Sequence, residues 1–223
     1  MSMLSSLKNA LLNSLTYMRM RLIKKLLWNP LVQKTWTPQK AQYDLLYKIL
    51  RKNSQTVFGK EHNFEKITTY EDYCNAVKIK SYEELRGYIE KQEKENRPYL
   101  TSEQPMMYAQ TSGTTGEPKY ISILKNTVAE YRKSQRIFAY AQYASISGVY
   151  SGKVLGIVSP AVEGFLETGT PFGSMSGLIY KSMPGVVRAK YAVPPEVFDT
   201  EDYELKYYLI TVFAISEENI TIM

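Results

Sequence analysis

The sequence predicts an α/β fold, mixed sheet layers flanked by helices, preceded by an amphipathic N-terminal helix. Three observations carry this. Two short β-prone runs, Met106-Met107-Tyr108-Ala109 and Tyr120-Ile121-Ser122-Ile123, enclose a stretch of small and hydroxylated residues. A long helical pattern then opens at Asn126-Thr127 and reaches about Ser147, where Gly148 stops it. An apolar run of strand length, residues 153–158, follows and ends at Ser159-Pro160. Strand, helix, strand in succession reads as a βαβ unit and implies a parallel pair.

Taken in order, the first element is a helix from about residue 4 to residue 28. Leu4, Leu7, Leu11, Leu15, Met18, Leu22 and Leu26 recur at spacings of three and four, while Lys8, Arg19, Arg21, Lys24 and Lys25 fall mostly off that line. At 1.5 Å per residue it extends roughly 35 Å. Such a helix docks on the domain's own core, or lies on a membrane surface, since basic and leucine-rich is also that signature. Charges interrupt it too often for it to span a bilayer. Residues 1–30 therefore form one basic segment, and residues 31–223 the domain behind it.

A second helix is expected to start with Thr37 as N-cap and Pro38 at its first position, and to end at Asn53-Ser54. Residues 56–64 read as a loop turning at Gly59, with His62 as a packing or surface residue. Thr69 caps a short helix carrying Cys74, and Ser81 with Glu84 forms a capping box for the helix to about Glu95.

The stretch between the two strands is Thr111-Ser112-Gly113-Thr114-Thr115-Gly116-Glu117-Pro118-Lys119. Two glycines let the backbone turn tightly and bring its N–H groups to an anion; four hydroxyls and a lysine supply further donors. A Walker A loop is excluded, because the residue five after Gly113 is Pro118 and Lys119 is followed by Tyr120. Standing between strands, the loop does not place its anion on a helix N-terminus.

In the long helix that follows, Arg136 sits among Ile137, Phe138 and Tyr140 and reads as a snorkelling surface arginine or a carboxylate clamp. Gly164, Gly169, Gly173, Ser174, Ser176 and Gly177 make a glycine-serine stretch that reads as a flexible loop. Thr200 is expected to cap a last helix reaching Ser216, and Ile220-Thr221-Ile222 to begin a strand.

Composition narrows the function classes. One cysteine, Cys74, leaves no internal disulfide, and a single histidine, His62, leaves no residues for a His/Cys metal site or a His-based triad. Without a signal-peptide pattern, the expected setting is a reducing cytoplasm. The net charge of +6 suggests nucleic acid only superficially. Residues 1–52 hold ten basic side chains against Asp44 alone, leaving 18 basic and 21 acidic groups beyond them. No basic strip interleaved with stacking aromatics crosses the remainder, so no nucleic-acid partner is expected.

Thr111 to Lys119 resembles the first motif of the adenylate-forming, acyl-activating superfamily. Thr37-Pro38-Gln39 with Gln42, Thr56 to Phe64, and Ser81-Tyr82-Glu83-Glu84-Leu85 resemble its auxin-responsive branch, the acyl-acid amido synthetases of plants and their bacterial relatives. The resemblance runs from about Trp28 onward; one departure is Ser122, where the family usually has proline. It implies the N-terminal part of the large domain of an adenylate-forming enzyme. In such enzymes an acyl acid's carboxylate attacks the α-phosphate of ATP, and an amine or amino acid then displaces AMP to form an amide.

On that resemblance, Thr111, Ser112, Gly113, Thr114, Thr115, Gly116 and Lys119 hold the ATP phosphates. The helix carrying Arg136 helps form the acyl-acid pocket, and Gly173 and Ser174 lie in a substrate-lining loop. No catalytic residue is assigned in the chain. The acidic ligand for Mg²⁺, the aspartate motif for the ribose and the C-terminal lid domain are expected beyond residue 223, in members more than twice this length. The chain thus reads as an N-terminal fragment that is not competent alone. A non-catalytic nucleotide- or phosphate-binding module, or a membrane-surface interaction protein, are the other readings.

Overall fold

Helix α1 (Met3–Ile23) passes through a π-helical turn (Lys24–Trp28) into α2 (Asn29–Thr35). The computed structural model describes residues 3–111 and 117–223, with side chains at residue 11 and from residue 13 onward. Ser112, Gly113, Thr114, Thr115 and Gly116 lie outside the described residues, as do the side chains of Leu4, Leu7 and Lys8. The helix predicted at the N-terminus is present, but it docks on a different face. Met20 and Ile23 are buried with Tyr140, and Leu27 and Trp28 pack around them, whereas Leu11, Leu15, Met18, Leu22 and Leu26 are exposed. Apolar residues occur on several sides of this helix, so spacing alone leaves the docked side open. The aromatic contact between Trp28 and Tyr140, 5.2 Å between ring centres, belongs to the side that was buried.

Helix α3 (Pro38–Asn53) starts at the expected proline, although the Thr37 side chain makes no cap bond. Its Leu50 joins Phe58, Phe64 and Ile67 in one core cluster. Where a loop was expected, residues 57–61 form a short helix, α4 (Val57–Glu61). The reason is a local cap: Thr56 Oγ1 accepts from the Gly59 N–H at 2.9 Å and donates to the Asn53 carbonyl at 2.7 Å. Gly59 is required by close approach, since a Cβ there would stand 2.1 Å from the Asn53 oxygen. His62 packs on Phe58, ring centres 4.0 Å apart, with Nδ1 2.9 Å from the Phe58 carbonyl oxygen.

After a 3-10 turn (Phe64–Lys66) come α5 (Tyr70–Ala76) and α6 (Tyr82–Glu95), each opened by a complete capping box. Thr69 pairs reciprocally with Asp72 and Ser81 with Glu84, as their spacing predicts. Buried Gln92 on α6 then fixes the chain beyond the helix. Its Oε1 accepts from the N–H groups of Leu100 and Thr101, and its amide donates to the Thr101 and Glu103 carbonyls.

The remaining elements are β1 (Met107–Gln110), β2 (Tyr120–Ile123), α7 (Lys125–Ser145), β3 (Lys153–Val154), β4 (Gly164–Phe165), β5 (Pro171–Gly173), α8 (Met175–Lys181), α9 (Gly185–Arg188), α10 (Pro195–Phe198), α11 (Tyr203–Ser216) and β6 (Ile220–Ile222). Four strands form a mixed sheet in the order β2-β1-β5-β4, with β1 antiparallel to β2 and parallel to β5. The parallel pair expected between β2 and β3 does not form. Strand β3 pairs in parallel with β6, and its other edge is taken by residues 190–192, through Val154 N–H to the Lys190 carbonyl and Ala192 N–H to the Val154 carbonyl. Both edges of Val154 are therefore occupied.

The glycine-serine stretch is also more ordered than expected. β4 and β5 make a hairpin whose turn uses Gly169 at φ +87°, and Ser174 caps α8 by accepting from the Gly177 N–H at 3.0 Å. Helix α11 is capped by Asp202 rather than Thr200, because its helical residues begin at Tyr203 and Asp202 Oδ1 reaches the Leu205 N–H at 2.8 Å.

The chain divides into two compact units. One comprises Gln33–Val128 and Val162–Gly173 and contains the Leu50 cluster and the four-stranded sheet. The other comprises Met1–Val32, Ala129–Ala161 and Ser174–Met223. It contains the β3–β6 pair and a core of Tyr180, Val193, Val197, Phe198 and Ile210. Among the described residues, no helix is long and apolar enough to cross a membrane.

Candidate functional site

The candidate phosphate loop is carried by the β1–β2 hairpin, as its flanking runs predict. Its neck is closed by the Thr111 N–H donating to the Lys119 carbonyl at 3.1 Å. Strand β2 is an edge strand, and edge strands leave backbone groups unpaired. Here Tyr82 from α6 supplies the partner: its hydroxyl accepts from the Tyr120 N–H at 2.8 Å and donates to the Tyr120 carbonyl at 3.3 Å.

Arg86, one turn along α6, braces the same neck. Its Nε and one Nη bind the two Glu83 carboxylate oxygens at 2.7 and 3.1 Å, and its other Nη approaches the Pro118 carbonyl at 3.5 Å and Glu117 at 3.7 Å. The Tyr82 ring carries two cations, with Arg86 Cζ 4.9 Å and Lys119 Nζ 5.7 Å from its centre. The hydrogen bond from Arg86 holds the Glu83 carboxyl below the usual carboxylate range. That pair largely neutralises Arg86. Lys119 is different: it is exposed, and among the described residues no carboxylate lies within ion-pair distance of it. The neck thus presents one unpaired ammonium beside a braced hairpin.

The other unit contains a cavity of about 420 Å³. Helices α1 and α7 and the segment through α8 and α9 line it with apolar groups such as Met20, Ile23, Phe138, Ile179 and Val187. Among the described residues four cations also line it, Arg19, Arg132, Arg136 and Lys190, and no side-chain carboxylate does. Arg132 Nε donates to Ser182 Oγ at 3.0 Å, and Lys190 Nζ donates to the Tyr150 carbonyl at 3.1 Å. Burial, with Lys153 nearby, pushes the Lys190 ammonium down. Arg136 is exposed and faces this cavity, an arrangement suited to an anionic head with an apolar body. Among the described residues no three His, Cys, Asp or Glu converge in a way that could hold a metal ion.

Residues 28–223 match the family model described as the GH3 family N-terminal domain. The chain belongs to the GH3 family. Among solved structures it is similar to a GH3.15 acyl acid amido synthetase, with 19% identity and a TM-score of 0.68 over 78% of this chain and 31% of that one. It is also similar to AtGH3.15 acyl acid amido synthetase in complex with 2,4-DB, with 22% identity and a TM-score of 0.59 over 65% and 26% of the two chains. At these identities the likeness shows the fold. The GH3 chain described here spans about a third of the length of the solved relative it covers most. A search of the curated proteins returned no match.

The other sequence-assigned residues have identifiable structural positions in this GH3 chain. Gly173 ends β5, buried and paired with Ala109, and Ser174 Oγ is engaged by the Gly177 N–H and the Ser159 carbonyl. Neither lines the cavity. Sequence reasoning gave the helix bearing Tyr82 and Arg86 no role at the site and placed Arg19 only off the apolar line of its helix. The Tyr82 contact joins positions 38 apart, and no local pattern announces it. Arg19 is one of five cations in the predicted N-terminal helix, residues 4–28, and only the packing of α1 distinguishes it.

Proposed function

We propose that this GH3 chain is the N-terminal part of an ATP-dependent acyl-acid amido synthetase, which adenylates a carboxylic acid and joins it to an amine or amino acid. The observation that carries the reading is the unpaired Lys119 ammonium held at the neck of the Thr111–Lys119 hairpin. A carboxylate and a triphosphate repel each other, so the first step needs positioning and charge neutralisation. Thr111 and Lys119, with the backbone and hydroxyls of residues 112–116, are the groups that take the phosphates on this reading. Charge-assisted bonds of this kind contribute about 1.5–3 kcal/mol each. Arg136, at the apolar cavity of the other unit, takes the carboxylate of the acyl acid. On this reading Mg²⁺ would accompany the nucleotide. Cys74, exposed and free, accords with a reducing cytoplasm.

ATP titration tests this. The 223-residue chain is expected to bind ATP weakly, to lose about tenfold in affinity on Lys119→Ala, and to release no pyrophosphate in response to an acyl acid. ATP affinity unchanged by Lys119→Ala would remove the loop assignment. Acyl-dependent pyrophosphate release would show that the chain is competent alone.

A further inference from the structure

The cavity carries more positive charge than one carboxylate needs. Two of its four cations are already engaged, Arg132 with Ser182 and Lys190 with Tyr150. Among the described residues, Arg19 on α1 and Arg136 on α7 form no ion pair with a carboxylate, and no Asp or Glu side chain lines the cavity. Like charges that share a partly apolar enclosure without a counter-ion each raise the cost of the other. The effect is visible at Arg19, whose guanidinium is pushed down by burial first and by Arg136 second. A ligand with a single negative charge relieves only part of this.

We propose that the cavity is a site for a doubly anionic, apolar-bodied ligand, with Arg136 taking one acidic group and Arg19 the other. Arg19 is then a specificity-determining residue. It lies ahead of the residues that match the family model, so this selectivity belongs to helix α1 rather than to the matched region. The chemical class is a rigid aromatic or alicyclic dicarboxylate, or a carboxylate bearing a second acidic group, whose body fits among Met20, Phe138 and Val187. Both guanidiniums present planar forks suited to bidentate carboxylate binding. The proposal rests on the reading of Arg136 as a carboxylate partner and adds the second charge.

The test is calorimetric titration of the 223-residue chain with naphthalene-2,6-dicarboxylate and with 2-naphthoate, in low-chloride buffer. Wild-type protein is expected to bind the dicarboxylate at least about tenfold more tightly. In Arg19→Gln the two ligands are expected to bind within about twofold of each other, and in Arg19→Lys, which keeps the charge, part of the preference should return. Circular dichroism checks that both variants remain folded. Equal affinities in wild type, or a preference that survives Arg19→Gln, would overturn the proposal.

Arg136→Gln separates the two readings. If 2-naphthoate binds wild type and is lost in Arg136→Gln, with no advantage for the dicarboxylate, the acyl-acid assignment stands and the dianion proposal falls. If the dicarboxylate preference depends on Arg19 while Arg136→Gln changes nothing, the second charge stands and the Arg136 assignment falls. Binding of neither ligand removes both.

Discussion

Tyr82 and Tyr120 exchange hydrogen bonds across 38 positions of sequence: one hydroxyl serves both the N–H and the carbonyl of a single edge-strand residue. The hairpin that carries the candidate phosphate loop is thereby fastened to α6 through two bonds and one side chain. Replacing Tyr82 with Phe keeps the ring under Lys119 and Arg86 but removes both bonds. A loss of about 1–2 kcal/mol of stability is expected, measured by urea unfolding. ATP affinity is expected to fall with it, because the loop's neck loses its brace. Unchanged affinity in a folded Tyr82→Phe chain would show that the loop does not depend on this contact.

Two glycines are expected to respond to alanine in opposite directions. At Gly59 a methyl group would stand 2.1 Å from the Asn53 carbonyl oxygen, a backbone atom held by the Thr56 cap. Gly59→Ala should cost about 3 kcal/mol. At Gly87, exposed within α6, a methyl group meets nothing within 4 Å. Gly87→Ala should raise stability by about 0.5–1 kcal/mol through helix propensity. Midpoints of denaturant unfolding distinguish the two.

Acid titration should report Asp72. Hydrogen bonds from the backbone N–H groups of Thr68 and Thr69, then from the two hydroxyls, lower its carboxyl to about 2. Its folded-state value lies below its unfolded one, so its contribution is fully present above about pH 4. It is lost as pH falls through about 2. Between those values the wild-type melting temperature should fall more steeply than that of Asp72→Asn. Parallel slopes would show that the capping box contributes no pH-dependent stability.

Ser174 supplies a sharper distinction. Its hydroxyl accepts from the Gly177 N–H and donates to the Ser159 carbonyl at 3.2 Å, and it does not line the cavity. Ser174→Ala is expected to lower stability by about 1 kcal/mol, the loss of an N-cap. The affinity of the cavity for 2-naphthoate is expected to stay the same. A change in affinity without a change in stability would place Ser174 with the ligand instead.

What could be read from the residues alone follows the range of the interactions. The capping boxes at Thr69/Asp72 and Ser81/Glu84 span three residues, and both form as their spacing predicts. The strands around the loop were legible because the hairpin partners are neighbours in sequence. The docked side of α1 was not: Met20 and Ile23 were chosen by Tyr140 and Trp28, and Tyr140 lies over a hundred residues away. Strand β3 was found, but its partners could not be, because residues 190–192 arrive after a hairpin and two helices, and β6 after two helices more. The cation pair in the cavity was hidden for the same reason, with Arg19 and Arg136 on α1 and α7.

The parallel pairing of β3 with β6 has a consequence for how the molecule is made. Val154 takes its register from Ile222, which leaves the ribosome 68 residues later. At roughly 5–20 residues per second, that is about 3–14 s. The unit built on Leu50, Phe58 and Ile67 has its core residues in hand long before then. During nascent-chain growth β3 therefore waits without its β6 partner, whereas the residues that bury Met20 and Ile23 of α1 are complete at Tyr150, and chaperone capture in that interval is expected to concentrate on β3.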